Sequence, residues 1–170
     1  MKTLLAALVS SLAALAVQPV VLFSWALLPP MAQGAELPWD QVGFMLLMAV
    51  VFAVPFVVLL GIPLTLLLQR IGYLKWWCLA AVGALAGAIF AGWSGPGGDP
   101  GFSSGGNWYG RSVDFVVNGK PTLYGWLSYV QSVAAFAFHG LAGATAFFIV
   151  WVRRMGPNNS FKPMPLRDTA

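Results

Sequence analysis

The chain has 170 residues, of which 59% are hydrophobic and 8% are charged, and its formal net charge is +4. A soluble domain usually carries about a quarter charged residues, so most of this surface must face something other than water, and a lipid bilayer is the obvious candidate. The charges stand in small groups between apolar runs, which argues against a nucleic-acid-binding face, and the single cysteine excludes an intramolecular disulfide.

The first element is an apolar run over residues 3–28 that ends at Pro29-Pro30. A membrane-spanning helix needs about 20 apolar residues, so this run is long enough to cross a bilayer. Its beginning, MKTLLAALVSSLAALAV, also has the composition of a signal peptide, with a small-residue cleavage site after Ala35. We expect a retained helix because the run exceeds the roughly 7–15 apolar residues of a signal peptide. Cleavage would leave three spans in the same orientation.

The second and third elements are apolar runs over residues 42–68 and 73–93, joined by the short turn QRIGYLK. So short a connection predicts an antiparallel helical hairpin. The second run contains Pro55, which removes one backbone donor and frees the carbonyl of Val51. We expect a kink that fits this helix to its neighbours. The alternative is a break that exposes carbonyls to a ligand or ion.

Residues 94–125 form the only sizeable segment between the apolar runs. The first half, SGPGGDPGFSSGGNWYG, is rich in glycine and proline and is expected to be irregular. The second half contains two β-prone stretches on either side of Asn118-Gly119, a dipeptide typical of type I′ turns. We therefore predict a small β-hairpin that pairs residues 113–117 with residues 120–124, with Pro121 on an edge strand.

Aromatic and charged side chains are concentrated in this segment, an arrangement that protein interfaces favour. They make it a candidate partner-binding surface, formed by Phe102, Trp108, Tyr109, Arg111, Asp114 and Phe115. The alternative is that the rings pack on one another and on the lipid headgroups, so that the segment caps a bundle of helices. Both can hold at once.

The fourth element is an apolar run over residues 127–152, followed by a polar tail, residues 155–170, that we expect to be disordered. Small residues follow one face of this run and one face of the third, and in membranes such stripes mark close helix contacts. We expect the two helices to pack through Gly83, Gly87, Gly140 and Gly143. The expected fold is an all-α integral membrane protein, a four-transmembrane-helix bundle in residues 1–154.

Basic residues orient this bundle. With the N-terminus inside, seven of the nine lysines and arginines lie on one side, and only Arg111 and Lys120 lie on the other. Because cytoplasmic loops of membrane proteins are enriched in basic residues, both termini are expected to be cytoplasmic. The expected location is a bacterial-type inner membrane, with residues 94–125 outside.

The only histidine, His139, lies near the middle of the fourth run, so the bundle places it close to the bilayer midplane. A buried imidazole is normally neutral, since desolvation disfavours the cation, and it needs one hydrogen-bond acceptor and one donor as partners. Two groups at similar depth could serve. They are the side chain of Gln18, which shares a helix face with Trp25, and the freed carbonyl of Val51.

An ionisable residue inside a membrane is a functional hypothesis by default, and three roles for His139 and Gln18 are open. The simplest is an interhelical hydrogen bond worth about 1 kcal/mol or less. The second is contact with a quinone or with haem b. The second axial ligand of the haem would then come from another chain, or it would be a methionine such as Met45 or Met48. The third is proton chemistry, although the runs contain no Asp or Glu in their central parts to continue a relay.

Catalytic chemistry finds little support in the sequence. One histidine and one cysteine on different helices do not build a zinc site, and a histidine at the midplane cannot serve an outer Ser-His-Asp triad. The sequence therefore favours a non-enzymatic accessory, assembly or immunity-like protein without a cofactor. Its partner would be another membrane or extracytoplasmic protein, or a second copy in a homo-oligomer. The alternative is a haem-binding, quinone-binding or solute-transporting bundle centred on His139.

Overall fold

The computed structural model describes residues 2–32, 34, 36 and 39–156, and the described chain is mostly helical. The main helices, in chain order, are helix 1 (Lys2–Leu27), helix 2 (Trp39–Arg70), helix 3 (Trp76–Gly92) and helix 4 (Leu123–Met155). A short helical segment, Leu28–Ala32, continues helix 1. The cleavage site considered after Ala35 and the tail beyond Gly156 lie outside the described residues.

Helices 1, 2 and 4 are long and apolar enough to cross a membrane. Helix 3 is also apolar but has only 17 residues, whereas a span usually needs about 20. Helix 4 is longer than expected at both ends. It begins at Leu123, inside the segment assigned to the outer loop, and it includes Met155, which had been assigned to the tail.

Helix 2 contains a wider, π-helical turn at Val57–Gly61, where the backbone N–H of Ile62 reaches back five residues to the carbonyl of Val57. The next residue is Pro63, which has no N–H and whose ring crowds the turn before it. A wider turn relieves this crowding. Pro55, where a kink was expected, lies within the regular helical stretch Trp39–Phe56, and the irregular turn lies between Pro55 and Pro63.

Helix 1 repeats this arrangement near its C-terminal end. Its π-helical turn is Phe23–Leu27, and the N–H of Leu28 donates to the carbonyl of Phe23. Again the donor directly precedes a proline, Pro29. Both helices are therefore irregular for the same reason, a proline that cannot supply the next helical hydrogen bond.

Helix 4 is the central element of the bundle, and it packs mainly against helices 3 and 1. Its closest approach to helix 3 is at glycines: a Cβ atom on Gly140 would lie against the carbonyl oxygen of Gly83, and one on Gly87 against the carbonyl oxygen of Phe136. Small residues allow this approach because the two backbones can come into contact. The expected packing of the third and fourth runs through their small residues is therefore present in the fold.

Two hydrogen bonds join helix 3 to helix 4 near the ends of the shorter helix. Trp76 donates from Nε1 to Thr145 Oγ1 over 3.2 Å, and the Tyr129 hydroxyl donates to the carbonyl oxygen of Gly92 over 2.8 Å. The two partners on helix 4 are sixteen residues apart, which at 1.5 Å per residue is about 24 Å. Helix 3 is thus held along helix 4 over most of its length.

A compact apolar cluster closes the end of the bundle that carries Arg70 and Arg153. Trp151 on helix 4 and Leu74 in the connection between helices 2 and 3 have no exposed surface, and Phe147 stacks on Trp151 with ring centroids 5.9 Å apart. Ala6 and Ala7 of helix 1 belong to the same cluster. The beginning of helix 1 is therefore part of the buried core.

Residues 104–121 form a three-stranded antiparallel sheet with the order β1-β2-β3. The strands are β1 (Ser104–Trp108), β2 (Arg111–Val117) and β3 (Lys120–Pro121). Asn118 and Gly119 have φ angles of 49° and 78°, the positive values that both central residues of a type I′ turn require. The predicted turn and its first strand are therefore confirmed.

Two parts of that β prediction are wrong. The expected second strand over residues 120–124 stops at Pro121, because the Thr122 hydroxyl accepts the N–H of Gly125 and so starts helix 4. The glycine-rich half of the segment is not wholly irregular, since it contains β1. This strand forms because Trp108 and Arg111 are joined by the two-residue turn Tyr109-Gly110, whose φ angles are also positive.

The sheet is fixed to the start of helix 4 rather than standing free. The Thr122 hydroxyl donates to the carbonyl oxygen of Asp114 over 2.6 Å, and Gln131 Nε2 donates to the Tyr109 hydroxyl over 2.9 Å. The glycine-rich loop holds the other side of the sheet, where the N–H of Gly119 donates to the carbonyl oxygen of Phe102 over 2.7 Å. The segment is therefore a compact cap on helix 4.

Candidate functional site

The His139 ring is held by two side chains of helix 1. Its Nδ1 lies 2.7 Å from Gln18 Oε1, and its Nε2 lies 3.2 Å from Trp25 Nε1. Gln18 is almost fully buried, with 5% of its surface exposed, whereas His139 and Trp25 are half-buried. The structure thus brings together the two residues that the sequence singled out, and it adds Trp25.

The chemistry of Trp25 settles the protonation of the ring. An indole N–H can only donate, so His139 Nε2 must be the acceptor and Nδ1 must carry the hydrogen. Nδ1 then donates to Gln18 Oε1. Both nitrogens of a neutral imidazole are satisfied in this arrangement, and each bond joins helix 4 to helix 1.

The Gln18 amide also contacts the backbone of both helices. Its Nε2 donates to the carbonyl oxygen of Ala14 over 3.0 Å and, over a longer 3.4 Å, to the carbonyl oxygen of His139. Gly143 makes room for this amide, because a Cβ atom there would lie 2.8 Å from Gln18 Nε2. The four glycines expected at the contact between helices 3 and 4 are therefore divided between two contacts. Gly83, Gly87 and Gly140 lie between helices 3 and 4, and Gly143 lies between helices 4 and 1.

The expectation that the carbonyl of Val51 is a partner of His139 is wrong. Both ring nitrogens are bonded to helix 1 instead, and Val51 is 49% exposed on helix 2. The physical reason is depth and direction: Gln18 and Trp25 stand seven residues, or two turns, apart on one face of helix 1, and that face is turned toward helix 4. The shared face was visible in the sequence, although no motif marked Trp25 as a partner.

A cavity of about 410 Å³ lies beside this cluster and is bordered by all four helices. Helix 2 supplies the largest part of its wall, because this helix packs mainly on helix 1 and is set apart from helices 3 and 4. Among the described residues that line the cavity, none is charged, and the polar side chains are Gln18, His139 and the indole of Trp25. One polar group of three residues therefore faces an otherwise apolar space.

Aromatic rings form a continuous part of the cavity wall. Phe56 of helix 2 meets Phe90 of helix 3 edge-on with centroids 5.4 Å apart, and Phe90 lies 5.5 Å from Phe136 of helix 4. Phe136 in turn lies 6.4 Å from the His139 ring. Met45 and Met48 of helix 2 line the same space, and such flexible thioether side chains adapt readily to a neighbouring molecule.

Both π-turns border the cavity. Trp25 lies within the π-turn of helix 1, and Val57, Leu60 and Gly61 belong to the π-turn of helix 2. Single π-turns inside α-helices frequently occur at functional sites. Their meeting at one cavity marks this region, more than any other part of the described chain, as the candidate site.

This arrangement suits binding better than ligation of a metal. In the structure the lone pair of His139 Nε2 accepts the indole N–H of Trp25, so this bond would have to open before Nε2 could ligate haem iron. Within the described residues, no three side chains of His, Cys, Asp or Glu come together to hold a metal ion. The site can instead surround an uncharged, largely apolar molecule.

The six residues of the candidate partner-binding surface lie on the cap, away from His139. Phe102, Tyr109, Arg111 and Asp114 are exposed, whereas Trp108 and Phe115 are half-buried. The Trp108 ring contacts the rings of Tyr109, Phe115 and Tyr124, with centroids 5.1, 6.2 and 6.4 Å away. The aromatic side chains of the cap therefore pack partly on one another, and its charged groups face outward.

Comparisons of the chain with protein-family models, with curated proteins and with solved structures found no match in any of the three.

Proposed function

We propose that the chain is an integral membrane protein that crosses the bilayer four times and binds an uncharged, largely apolar molecule in the cavity between its four helices. The observation that carries this proposal is the cavity itself, bordered by all four helices and both π-turns, with Gln18, Trp25 and His139 as its polar group. The proposed role is binding, without a catalysed reaction.

Four crossings are proposed because helix 3 runs alongside helix 4. Its hydrogen bonds to Tyr129 and Thr145 extend over about 24 Å of helix 4, close to the roughly 30 Å hydrocarbon core of a bilayer. Exposed tryptophans flank helix 3 at both ends, at Trp76, Trp77 and Trp93, as is usual at the two membrane interfaces. A short helix of this kind can be accommodated by local thinning of the bilayer.

The proposed orientation places both termini in the cytoplasm and the cap outside, in a bacterial-type inner membrane. The excess of basic residues at the opposite end from the cap supports it. Reporter fusions after Asn118 and after Arg154 are expected to report opposite compartments. Fusions that report the same compartment would contradict the four-span topology.

Retention of helix 1 follows from its place in the site and in the core. It supplies Gln18 and Trp25 to His139, and it supplies Ala6 and Ala7 to the cluster around Trp151. Intact-mass measurement of protein purified from membranes is expected to find residues 3–28 present. A mass that corresponds to cleavage after Ala35 would contradict this, since His139 would then lose both partners.

The nature of the proposed ligand follows from the cavity wall. Binding pockets for small molecules usually measure about 300–1,000 Å³ and are mostly apolar with a few placed polar groups, and this cavity fits that description. A charged molecule would find no opposite charge among the lining residues, so its desolvation would go uncompensated. Half-exposed helix 2 forms one wall, and a membrane-dissolved molecule can reach the cavity past it.

The proposal is tested by filling the cavity. Ala86 of helix 3 lines the space, whereas Ala81 on the same helix is exposed and does not. Hexylbenzene is the probe, and the melting temperature in phosphatidylcholine nanodiscs is the measurement, because a ligand that binds the folded state raises it. The wild type and Ala81→Phe are expected to be stabilised and Ala86→Phe is not. Equal shifts in all three proteins, or none, would overturn the proposal.

A second candidate function is the accessory or assembly role, exercised through the cap. The specific observation in its favour is that Tyr109, Arg111 and Asp114 are exposed together on the sheet. A partner captured from native membranes by the wild type is expected to be lost from the double variant Tyr109→Ala/Arg111→Ala and retained by Ser112→Ala, which changes an exposed neighbour on β2. Capture of the same partner by all three proteins would exclude the cap as the docking surface.

A further inference from the structure

We infer that the molecule held in the cavity carries a hydroxyl group on an uncharged ring, and that this hydroxyl is inserted between Trp25 and His139. The inference rests on the proposed function, since it assigns a chemical class to the ligand of the same cavity. It comes from the unequal hydrogen bonds around His139.

The two bonds to the His139 ring differ in length and in how firmly their partners are held. The N–H···O contact with Gln18 Oε1 measures 2.7 Å and the N–H···N contact with Trp25 Nε1 measures 3.2 Å, and Gln18 is buried whereas Trp25 is half-buried. Gln18 is further fixed by its bond to the carbonyl of Ala14. The contact between Trp25 and His139 is thus the one that opens at least cost.

Opening that contact exposes one donor and one acceptor that face each other. Trp25 Nε1 presents a hydrogen, and His139 Nε2 presents a lone pair, because the Gln18 bond keeps the ring hydrogen on Nδ1. A ligand group that enters must accept from the indole and donate to the imidazole. Otherwise one of the two is left unsatisfied in an apolar cavity.

A hydroxyl group meets this requirement, since it has one hydrogen to donate and two lone pairs to accept with. A carbonyl or an ether accepts the indole hydrogen but has nothing to give His139 Nε2. A carboxylate or an alkylammonium group is charged at neutral pH, and the described lining residues offer no opposite charge. The donor at Trp25 Nε1 and the acceptor at His139 Nε2 therefore favour a ligand that is an alcohol or a phenol over these other groups.

The wall next to the gap favours the phenol. Phe136 lies 6.4 Å from the His139 ring, and Phe90 and Phe56 continue the row of rings across the cavity. Flat rings pack on such walls with offset-stacked or edge-on contacts that add to simple burial. The remaining lining is aliphatic and suits an alkyl or polyene substituent, so the ligand class is a membrane-soluble phenol or hydroquinone.

Three probes that differ in a single group test this inference: para-hexylphenol, its methyl ether para-hexylanisole, and hexylbenzene. The wild type is expected to bind the phenol roughly 5–150-fold more tightly than the ether, since an unsatisfied buried group costs about 1–3 kcal/mol. In His139→Leu this preference is expected to disappear, because the acceptor for the hydroxyl hydrogen is lost while Trp25 can still donate to the oxygen of either probe. In Trp126→Phe, a change at an exposed side chain of helix 4, it is expected to persist.

A second measurement uses the unmutated protein, so that it does not depend on the folding of any variant. Because His139 is the only histidine, ¹⁵N-histidine labelling gives signals from this one ring. The Nε2 signal is expected to move when the phenol binds and to move less, or not at all, with the ether.

The outcomes separate this inference from the proposed function. Equal affinity for the three probes, with binding still blocked by Ala86→Phe, would overturn the hydroxyl assignment and leave the binding cavity in place. A preference for the phenol that survives in His139→Leu, together with an unmoved Nε2 signal in the wild type, would overturn it as well. Failure of every probe to bind would overturn both.

Discussion

Gly83 of helix 3 and Gly140 of helix 4 are in backbone contact, and a Cβ atom on Gly140 would overlap the carbonyl oxygen of Gly83. The obstacle is backbone in a regular helix, so it cannot turn aside as a side chain can. We expect Gly140→Ala to force the helices apart and to destabilise the bundle by about 1–3 kcal/mol, the usual range for overpacking. Thermal unfolding in a fixed detergent measures the loss.

Gly43→Ala is the matched control for this change, because a Cβ atom on Gly43 would meet nothing within 4 Å. Alanine is the better helix former, so this variant is expected to melt at the same temperature as the wild type or slightly higher. If Gly140→Ala melted like Gly43→Ala, the close contact between helices 3 and 4 would be wrong.

The protonation of His139 gives a second prediction, which concerns the ligand-free protein. We expect its ¹⁵N spectrum to show Nδ1 as the protonated nitrogen and Nε2 as the unprotonated one, because Trp25 can only donate to Nε2. The neutral side chain of free histidine favours the opposite placement of the hydrogen, on Nε2, so the result is diagnostic. A protonated Nε2 would mean that Trp25 and His139 are not paired as described.

Removal of the Gln18 amide is the third prediction. Gln18→Leu replaces the amide by an apolar side chain of similar length and leaves the hydrogen on His139 Nδ1 without an acceptor. Hydrogen bonds between membrane helices average about 0.6 kcal/mol, and an unsatisfied buried donor costs about 1–3 kcal/mol, so we expect a loss of about 1 kcal/mol or more in the same unfolding measurement.

Ser24→Ala is the control for Gln18→Leu, because the Ser24 hydroxyl is exposed and bonds only back to the carbonyl of Val20 in its own helix. It is expected to change the stability little. Equal stability of Gln18→Leu and Ser24→Ala would show that the contact between helices 1 and 4 does not depend on this amide.

The two turns of the sheet give the fourth prediction. Gly119 and Gly110 both have positive φ angles, 78° and 85°, so alanine at either is strained by about 1–2 kcal/mol. A Cβ atom on Gly119 would also lie 2.7 Å from the carbonyl oxygen of Asp99, whereas one on Gly110 would meet nothing within 4 Å. Gly119→Ala is therefore expected to loosen the cap more, which limited proteolysis between residues 94 and 122 measures.

Equal proteolysis rates for the two alanine variants would contradict the packing of the glycine-rich loop on the Asn118-Gly119 turn. The backbone strain of alanine at a positive φ angle would then account for all of the faster proteolysis. A faster rate for Gly110→Ala would contradict both the loop contact and the order of the two costs.

The helices were predictable from the sequence because long uncharged apolar runs are typical of helices and too long for strands. The turn at Asn118-Gly119 was predictable because this dipeptide is typical of type I′ turns. The start of helix 4 at Leu123 was not predictable, because it depends on hydrogen bonds that join the Thr122 hydroxyl to Gly125 and to Asp114. Strand β1 was missed for a related reason: its glycines have little β preference, and pairing with β2 makes the strand.

For the site, the sequence indicated that His139 lies near the middle of helix 4 and that Gln18 shares a helix face with Trp25, and the structure joins His139 to both. The cavity could not be predicted, because it is the space that remains when helix 2 packs on helix 1 and stays apart from helices 3 and 4. The sequence pattern indicates which helix faces are apolar. The volume of a cavity between helices depends on the distances and angles at which all of them pack, and these cannot be read from the pattern. The role of Trp25 depends on that same arrangement.

Helix 4 runs through 33 residues without a proline or a π-turn, about 50 Å of unbroken rod, with the sheet fastened at one end and Trp151 at the other. Helices 1 and 2 are each interrupted beside the cavity. The polar group of the cavity therefore joins two kinds of backbone: His139 stands on an unbroken helix, and Trp25 stands within a π-turn. Because the N–H groups of such a turn reach back five residues rather than four, the position of the indole relative to the imidazole depends on that wider turn.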